Sequence, residues 1–294
     1  MSRPVLLLGG TGLLGHAAGA ELTARGRAFL APSRADLDLL DTRELPARIA
    51  AAAPWAVVNL SGFTDVAAAE RPENLAEALA LNRDVPAALA AAAALAGVPF
   101  VHVSTDYVFD GAKRSPYVED DPVQPIQVYG ETKLAGERAV AAAHPAPLIA
   151  RVSTLFGPGR PQRPAYVDAI LKQALPLMTG SGTIEVAPGP VSSPTYAPDA
   201  AAALIDLLDR GATGIVHLVN AGSCSRLALA RATVAACFLA DRVVVNPKPP
   251  PPGGLARPDY SVLDTGKLQA ILGRALPTWR DALTRYIEVL GAGR

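Results

Sequence analysis

"PVLLLGGTGLLGHAAGAELTARG", residues 4–26, decides how the chain is read. An unbroken apolar run ends at Leu8, and a segment of helical periodicity follows and closes on Gly26. Between them Gly9, Gly12 and Gly15 form G-x-x-G-x-x-G. One such glycine permits a tight turn, another lets a diphosphate approach the backbone, and the last lets helix and sheet pack closely. With Thr11, Leu13 and Leu14 they place free N–H groups and the positive end of a helix dipole around an anion. The competing explanation is an ordinary strand–helix turn that needs glycines. Its place in the first strand–helix unit of an alternating chain favours the cradle.

The alternation continues outward from this unit. "RAFLAPS" (27–33), "WAVVNLS" (55–61), "VPFVHVS" (98–104) and "APLIARVS" (146–153) are strand-like. Helical stretches separate them. "DTRELPARIAAAAP" (41–54) offers Asp41 as N-cap with Glu44 three residues on, although Pro46 leaves the start open. "NLAEALALNRDVPAALAAAAALAG" (74–97) should kink or divide at Pro86. Near-continuous apolar strands alternating with helices imply a parallel sheet covered on both faces. The expected fold is therefore α/β, a Rossmann-type doubly wound parallel sheet with a smaller α/β C-terminal lobe for the substrate. Residues 1–156 are expected to form the NAD(P)-binding domain and 157–294 mainly the lobe, with some segments returning to the sheet. "GIVHLVN" (214–220) reads as a strand, residues 157–164 as a Gly/Pro-rich passage, and "PKPPPPGG" (247–254) as a loop or lid.

Bulk properties narrow the function. The 294 residues contain 27 Lys+Arg against 27 Asp+Glu, so no net charge points to nucleic acid or an anionic membrane. Two cysteines and four scattered histidines offer neither a disulfide framework nor a metal-ligand spacing, and no metal is expected. The N-terminal apolar run stops at two glycines, too short for a signal or a span. A cytoplasmic enzyme is the expectation.

"QVYGETKLAGERAV" (127–140) places Tyr129 and Lys133 one helical turn apart. A phenol has an ordinary pKa near 10, so it is an available acid, and a neighbouring ammonium should pull that value down. Lys133 could also reach a ribose hydroxyl. A third hydroxyl is offered at the end of a strand in "FVHVSTDYVFDG" (100–111), where Ser104 and Thr105 face opposite ways and only one can join the tyrosine. Y-x-x-x-K alone is weak; together with the glycine turn and this hydroxyl it marks a catalytic set. Arg34 in "APSRADLD" (31–38) stands where a cofactor 2′-phosphate would be met, which favours NADPH, with NADH the alternative. Asp38 and Leu39 follow in the same candidate cofactor segment. His102 is read as a packed core histidine, and Cys224 and Cys237 as buried unreactive thiols.

Four segments carry a resemblance: "GGTGLLG" (9–15), "VHVSTDYVFDG" (101–111), "PYVEDDPVQPIQVYGETKLAGE" (116–137) and "SSPTYAPDAA" (192–201), continued by "ARPDYSVLDTGKL" (256–268). Together they resemble the dTDP-4-dehydrorhamnose reductases, which are extended short-chain dehydrogenase/reductases, over nearly the whole chain. The resemblance implies a Thr105–Tyr129–Lys133 triad, a bound NADPH and a nucleotide-sugar substrate. It implies cofactor contacts at Ser61, Gly62 and Thr64 with support from Asn82. It places Asp106 beside the sugar and makes Arg257 a candidate for the nucleotide end. The chain departs from the family pattern in three places. Ala67 stands for an acid. Thr154 stands for a tryptophan that would pack on the sugar. Ala17 stands for a glutamate associated in some members with a metal-dependent dimer contact, so a homodimer is only a candidate assembly. Two other readings stay open on the same fold: a nucleotide-sugar epimerase, and a non-catalytic subunit resembling the regulatory subunit of methionine adenosyltransferase.

Overall fold

Val5–Leu8 form β1, and all four of its side chains are buried. That pattern suits a strand with parallel neighbours on both sides and helices over both faces. The computed structural model describes residues 3–159, 164–249 and 253–291. In its first half β1 is followed by α1 (Leu13–Ala24), β2 (Phe29–Leu30), α2 (Leu45–Ala52), β3 (Ala56–Asn59), α3 (Val66–Ala69), α4 (Leu75–Leu79), α5 (Val85–Leu95), β4 (Phe100–Thr105), α6 (Val128–Ala143) and β5 (Leu148–Val152). The second half contains β6 (Leu155–Phe156), α7 (Tyr166–Ala174), β7 (Gly182–Val186), β8 (Val191–Ser192), β9 (Thr195–Tyr196), α8 (Ala197–Asp209), β10 (Gly214–His217), β11 (Cys224–Ser225), α9 (Arg226–Ala236), β12 (Val243–Pro247), α10 (Gly266–Leu272) and α11 (Trp279–Gly291).

Six strands make one parallel sheet in the order β10-β5-β4-β3-β1-β2. Strand alternation divides its core. Val5 and Leu7 face α1 and α8, together with Val58, Val101, Ala150 and Val216. Leu6 and Leu8 face the other way, with Val57, Phe100, Ile149 and the α5 residues Leu89 and Ala93. The sheet is a Rossmann-type doubly wound one. Although β10, α8 and α10 lie late in the chain, they pack on this sheet. The remaining late elements form short pairs, β6 with β9, β7 with β12 and β8 with β11, around α7, α9 and α11.

Three local readings are corrected. Asp41 does not cap α2; Glu44 occupies the N-cap and Pro46 the first turn. Proline has no N–H to lose there and its fixed φ suits the position, so the helix starts late, and Asp41 instead pairs with Arg43. The break expected at Pro86 lies just ahead of it, as a π-turn at Ala80–Asp84 that runs into α5. "RAFLAPS" yields only the two-residue edge strand β2. The helical run Pro72–Leu95 is long and apolar enough to cross a membrane by length and composition, yet it packs on the sheet with Val85, Leu89, Ala90 and Ala93 buried. Parts of the 157–164 passage and of the 247–254 loop, residues 160–163 and 250–252, lie outside the described residues.

Candidate active site

The candidate residues gather at the carboxyl ends of β1, β3, β4 and β5, the edge where open parallel sheets take their ligands. At β1, Gly9 has φ +80°, and a Cβ there would stand 2.7 Å from the Ser61 nitrogen. A Cβ on Gly15 would lie 2.0 Å from the Gly9 carbonyl oxygen. The fold alone therefore demands these two glycines. Gly12 is different: its φ is −73°, and a Cβ would sit at a tolerable 3.3 Å. It is the N-cap of α1, and with no side chain it leaves the first-turn N–H groups uncapped. A dinucleotide's diphosphate fits that feature, since it brings acceptors to donors the protein leaves free.

At β3, Ser61 and Gly62 are held from beneath. Asn59 Oδ1 accepts from the Ser61 N–H (3.1 Å) and hydroxyl (2.5 Å). Asn82, inside the π-turn, uses its amide on both polar atoms of the Phe63 backbone (2.9 and 3.1 Å) and on Thr132 Oγ1 (3.0 Å). Its support is thus to the loop carrying Ser61, Gly62 and the exposed Thr64, and to α6. A Cβ on Gly62 would stand 2.8 Å from Asn82 Oδ1 and 3.9 Å from Lys133 Nζ, so this loop lies against the lysine. Arg34 and Asp38 are exposed and Leu39 half-buried in the loop beyond β2, where Asp38 accepts from the Leu40 N–H at 3.0 Å.

At β4, Thr105 turns toward α6, whereas Ser104 points away with its Oγ buried and unpartnered among the described residues. Thr105 Oγ1 lies beside the Tyr129 phenol, donates to Asp106 Oδ1 (3.1 Å) and accepts from the Tyr107 N–H (3.2 Å). The close approach of α6 is allowed by Gly130, whose Cβ would be 2.2 Å from the Tyr107 carbonyl oxygen. Tyr107 meets Tyr129 edge-on, ring centroids 6.0 Å apart. Burial raises the phenol of Tyr129, Thr105 opposes that rise, and the Asp106 carboxylate adds to it.

This overturns the expected pull of Lys133 on the tyrosine. The lysine Nζ is committed to the Val103 carbonyl (2.6 Å) and lies 3.4 Å from His102 Nε2. Burial lowers Lys133 to about 8, with Glu137 one turn on opposing. Spacing put the two residues on one face; the carbonyl of β4 drew the long side chain inward.

Asp106 is 3% exposed, and its carboxylate is occupied by the protein. Oδ2 accepts from Ser153 (2.7 Å, just after β5) and Ser261 (2.6 Å), while Oδ1 accepts from Thr105 (3.1 Å). Burial raises it to about 6 against those three hydrogen bonds. It is a buried tie between segments, not an open contact for a sugar. Thr154 has φ +38°, an uncommon conformation for a β-branched residue, and its hydroxyl meets Ser192 Oγ at 2.9 Å.

Arg257 is half-buried, and its Nε has no partner among the described residues. Pairing places it: Val191 in β8 lies between Ser225 of β11 and Tyr260. This brings Arg226, the first residue of α9, close to it: burial lowers Arg257, repulsion by Arg226 adds to that, and Tyr107 beside them opposes it. Gly111 (φ +85°) admits Pro258 to the turn after β4, where a Cβ would be only 2.8 Å away. Arg226, Asn59, Ser153 and Ser261 were missed in the sequence. Ser261 lay inside the quoted C-terminal motif, but the others carry no local signal. Cys224 is half-buried, not fully buried, and burial pushes its thiol up to about 12.

Residues 2–291 match the family described as RmlD substrate binding domain. The chain belongs to that family. It is 35% identical over 305 residues to a dTDP-4-dehydrorhamnose reductase of Mycolicibacterium smegmatis, covering 99% of this chain and 88% of that one. It is 32% identical over 290 residues to a dTDP-4-keto-6-deoxy-D-glucose reductase of Streptomyces niveus, covering 98% and 97%. Among solved structures it resembles the dTDP-4-dehydrorhamnose reductase of Bacillus anthracis in complex with NADP, with TM-score 0.88, 27% identity and coverage of 98% and 100%. A UDP-glucose 4-epimerase of Thermus thermophilus, at 21% identity and TM-score 0.80, shares the fold.

Proposed function

We propose that this chain, an NADPH-dependent oxidoreductase, reduces the C4 ketone of a nucleotide-linked 4-keto-6-deoxysugar. The observation that carries the reading is one juxtaposition: Tyr129 beside Thr105 at the end of β4, with Lys133 beneath and the uncapped glycine turn on the same sheet edge. Relatives named for the reduction of dTDP-linked 4-keto-6-deoxysugars support the substrate class.

Gly12, Leu13 and Leu14 would hold the cofactor diphosphate, Ser61 and Gly62 its neighbouring part, and Arg34 a 2′-phosphate. Bound there, NADPH supplies the hydride. Tyr129 holds the proton. Its phenol, raised by burial, stays protonated across neutral pH. An alkoxide is nevertheless basic enough to take that proton, since even water ionises only near about 15.7. Thr105 stands beside the phenol, and its hydroxyl is held in place by donating to Asp106 Oδ1 (3.1 Å) and accepting from the Tyr107 N–H (3.2 Å). Lys133, anchored on the Val103 carbonyl, would use the remaining donors of its charged form on a ribose hydroxyl of the cofactor. Arg226 and Arg257, neighbouring cations beside Tyr107 with no carboxylate salt bridge among the described residues, would receive the sugar's diphosphate.

Tyr129→Phe tests the assignment. Turnover should fall roughly 10²–10⁴-fold, while NADPH affinity changes little. Unchanged turnover would remove Tyr129 from the role. Consumption of NADPH in proportion to product separates reduction from epimerisation, which leaves its concentration constant.

A further inference from the structure

Beneath the site, two buried polar residues that the mechanism does not use, Asn59 and His102, link Ser61 to Lys133. Asn59 and His102 are fully buried, and Lys133 is 5% exposed. The link has a direction. A backbone N–H can only donate, so the 3.1 Å bond from Ser61 N fixes which end of the Asn59 amide is the oxygen. Its NH2 must then face His102 Nδ1, at 3.2 Å. An amide NH2 cannot accept, so Nδ1 accepts and the proton of the neutral ring sits on Nε2. Burial and the adjacent Lys133 lower His102 well below its ordinary value, which excludes the doubly protonated ring near neutral pH.

The Nε2–H points at Lys133 Nζ, 3.4 Å away. An ammonium has three donors and no lone pair; a neutral amine can accept. We infer that His102 is a positioning residue: Asn59 locks it in the Nε2–H tautomer, and it thereby presents a donor to Lys133 and favours the neutral amine. The bond to the Val103 carbonyl (2.6 Å) is compatible with either form.

The surrounding charges do not reverse this. Glu137, on the lysine's own helix, favours the ammonium, but it is spent on Arg151 of β5 in two bonds of 2.9 and 2.8 Å. Asp106, in the turn after β4, is tied to three hydroxyls, and Tyr107 beside it holds its proton because burial raises it. Arg83 and Asp84 of the π-turn pair with each other near the surface, and Glu70 beyond α3 accepts from the Val128 N–H at 2.8 Å. Burial lowers the lysine to about 8 against Glu137, and the histidine donor at 3.4 Å acts in the same direction. The lysine is poised between its two forms close to physiological pH.

The inference rests on the reductase reading only for its kinetic arm, so two measurements are paired. The first is the nitrogen-15 spectrum of histidine-labelled whole protein, with the His102 signals assigned by loss in His102→Leu. Wild type should show Nε2–H and a bare Nδ1 from pH 6 to 9. Asn59→Asp, nearly isosteric, supplies an acceptor and should move the proton to Nδ1. A wild-type proton on Nδ1, or an imidazolium, overturns the inference whatever the enzyme's substrate. The second is the pH profile of kcat/KM. The ammonium is present below its pKa and lost above it, so wild type should lose activity above about pH 8. That limb should move up by about one unit or more in Asn59→Asp, where a facing carboxylate favours the charge. His102→Leu, which removes the donor without adding charge, should move it in the same direction. A purely structural role would lower rates without shifting the limb; an unmoved limb in both variants overturns the inference.

Discussion

Replacing Asp106 with Asn should stabilise the protein at neutral pH and remove part of its pH dependence. The carboxylate is 3% exposed, and burial raises it from 3.8 to about 6 despite hydrogen bonds from Thr105, Ser153 and Ser261. Below about pH 4 the group is protonated in both folded and unfolded chains and contributes nothing. Between about 4 and 6 the unfolded chain releases its proton first, so stability from this group falls as pH rises. Above about 6 the loss is complete. At 1.36 kcal/mol per unit the rise corresponds to about 3 kcal/mol. Asn mimics the protonated side chain, still accepting through one oxygen while its NH2 can donate to a rotated hydroxyl. Urea unfolding of both proteins at pH 4 and pH 7 reads the difference, because other titrating groups cancel between them. Equal stability is expected at pH 4, with the variant ahead by about 3 kcal/mol at pH 7. A variant less stable at pH 7, or a gap independent of pH, would refute the claim that burial dominates the three hydrogen bonds.

Other substitutions separate the fold's demands from the ligand's. Gly15→Ala drives a methyl to 2.0 Å from the Gly9 carbonyl oxygen and should cost about 4 kcal/mol or more in thermal unfolding experiments. Gly12→Ala meets that oxygen only at 3.3 Å and should leave the melting temperature nearly unchanged while weakening NADPH binding by calorimetry. Glu137→Gln leaves Arg151, 2% exposed, as an uncompensated charge, and unfolding should report a loss of about 3 kcal/mol. Arg34→Ala should weaken NADPH by about tenfold and leave NADH unchanged, the difference being one charge-assisted contact to the 2′-phosphate.

What could be read from the chain depended on how local its cause was. The glycine turn was legible because strand, turn and helix are consecutive and their packing needs are met within residues 5–24. The two-residue period of a strand said that only one of Ser104 and Thr105 could join the tyrosine, and the family resemblance chose Thr105. The π-turn at Ala80–Asp84 left no local trace, because its Asn82 is held by Phe63 and Thr132 from two distant segments. Lys133 was placed on the right face, but its partner was decided by the Val103 carbonyl 30 residues away. Asp106 looked like a ligand for sugar until Ser261, 155 residues on, was found donating to it. The Arg226–Arg257 pair follows from β11 and the single bridge at Tyr260 both meeting Val191 of β8, a pairing no single stretch announces.

The most direct test of the reductase reading follows NADPH absorbance as purified protein meets dTDP-4-keto-6-deoxyhexoses of each C5 configuration, with Tyr129→Phe in parallel. The account predicts loss of NADPH matched to a new C4 hydroxyl with one of these sugars, and almost none from the variant. NADPH bound but unconsumed with every sugar, or wild type and variant consuming it alike, would contradict it.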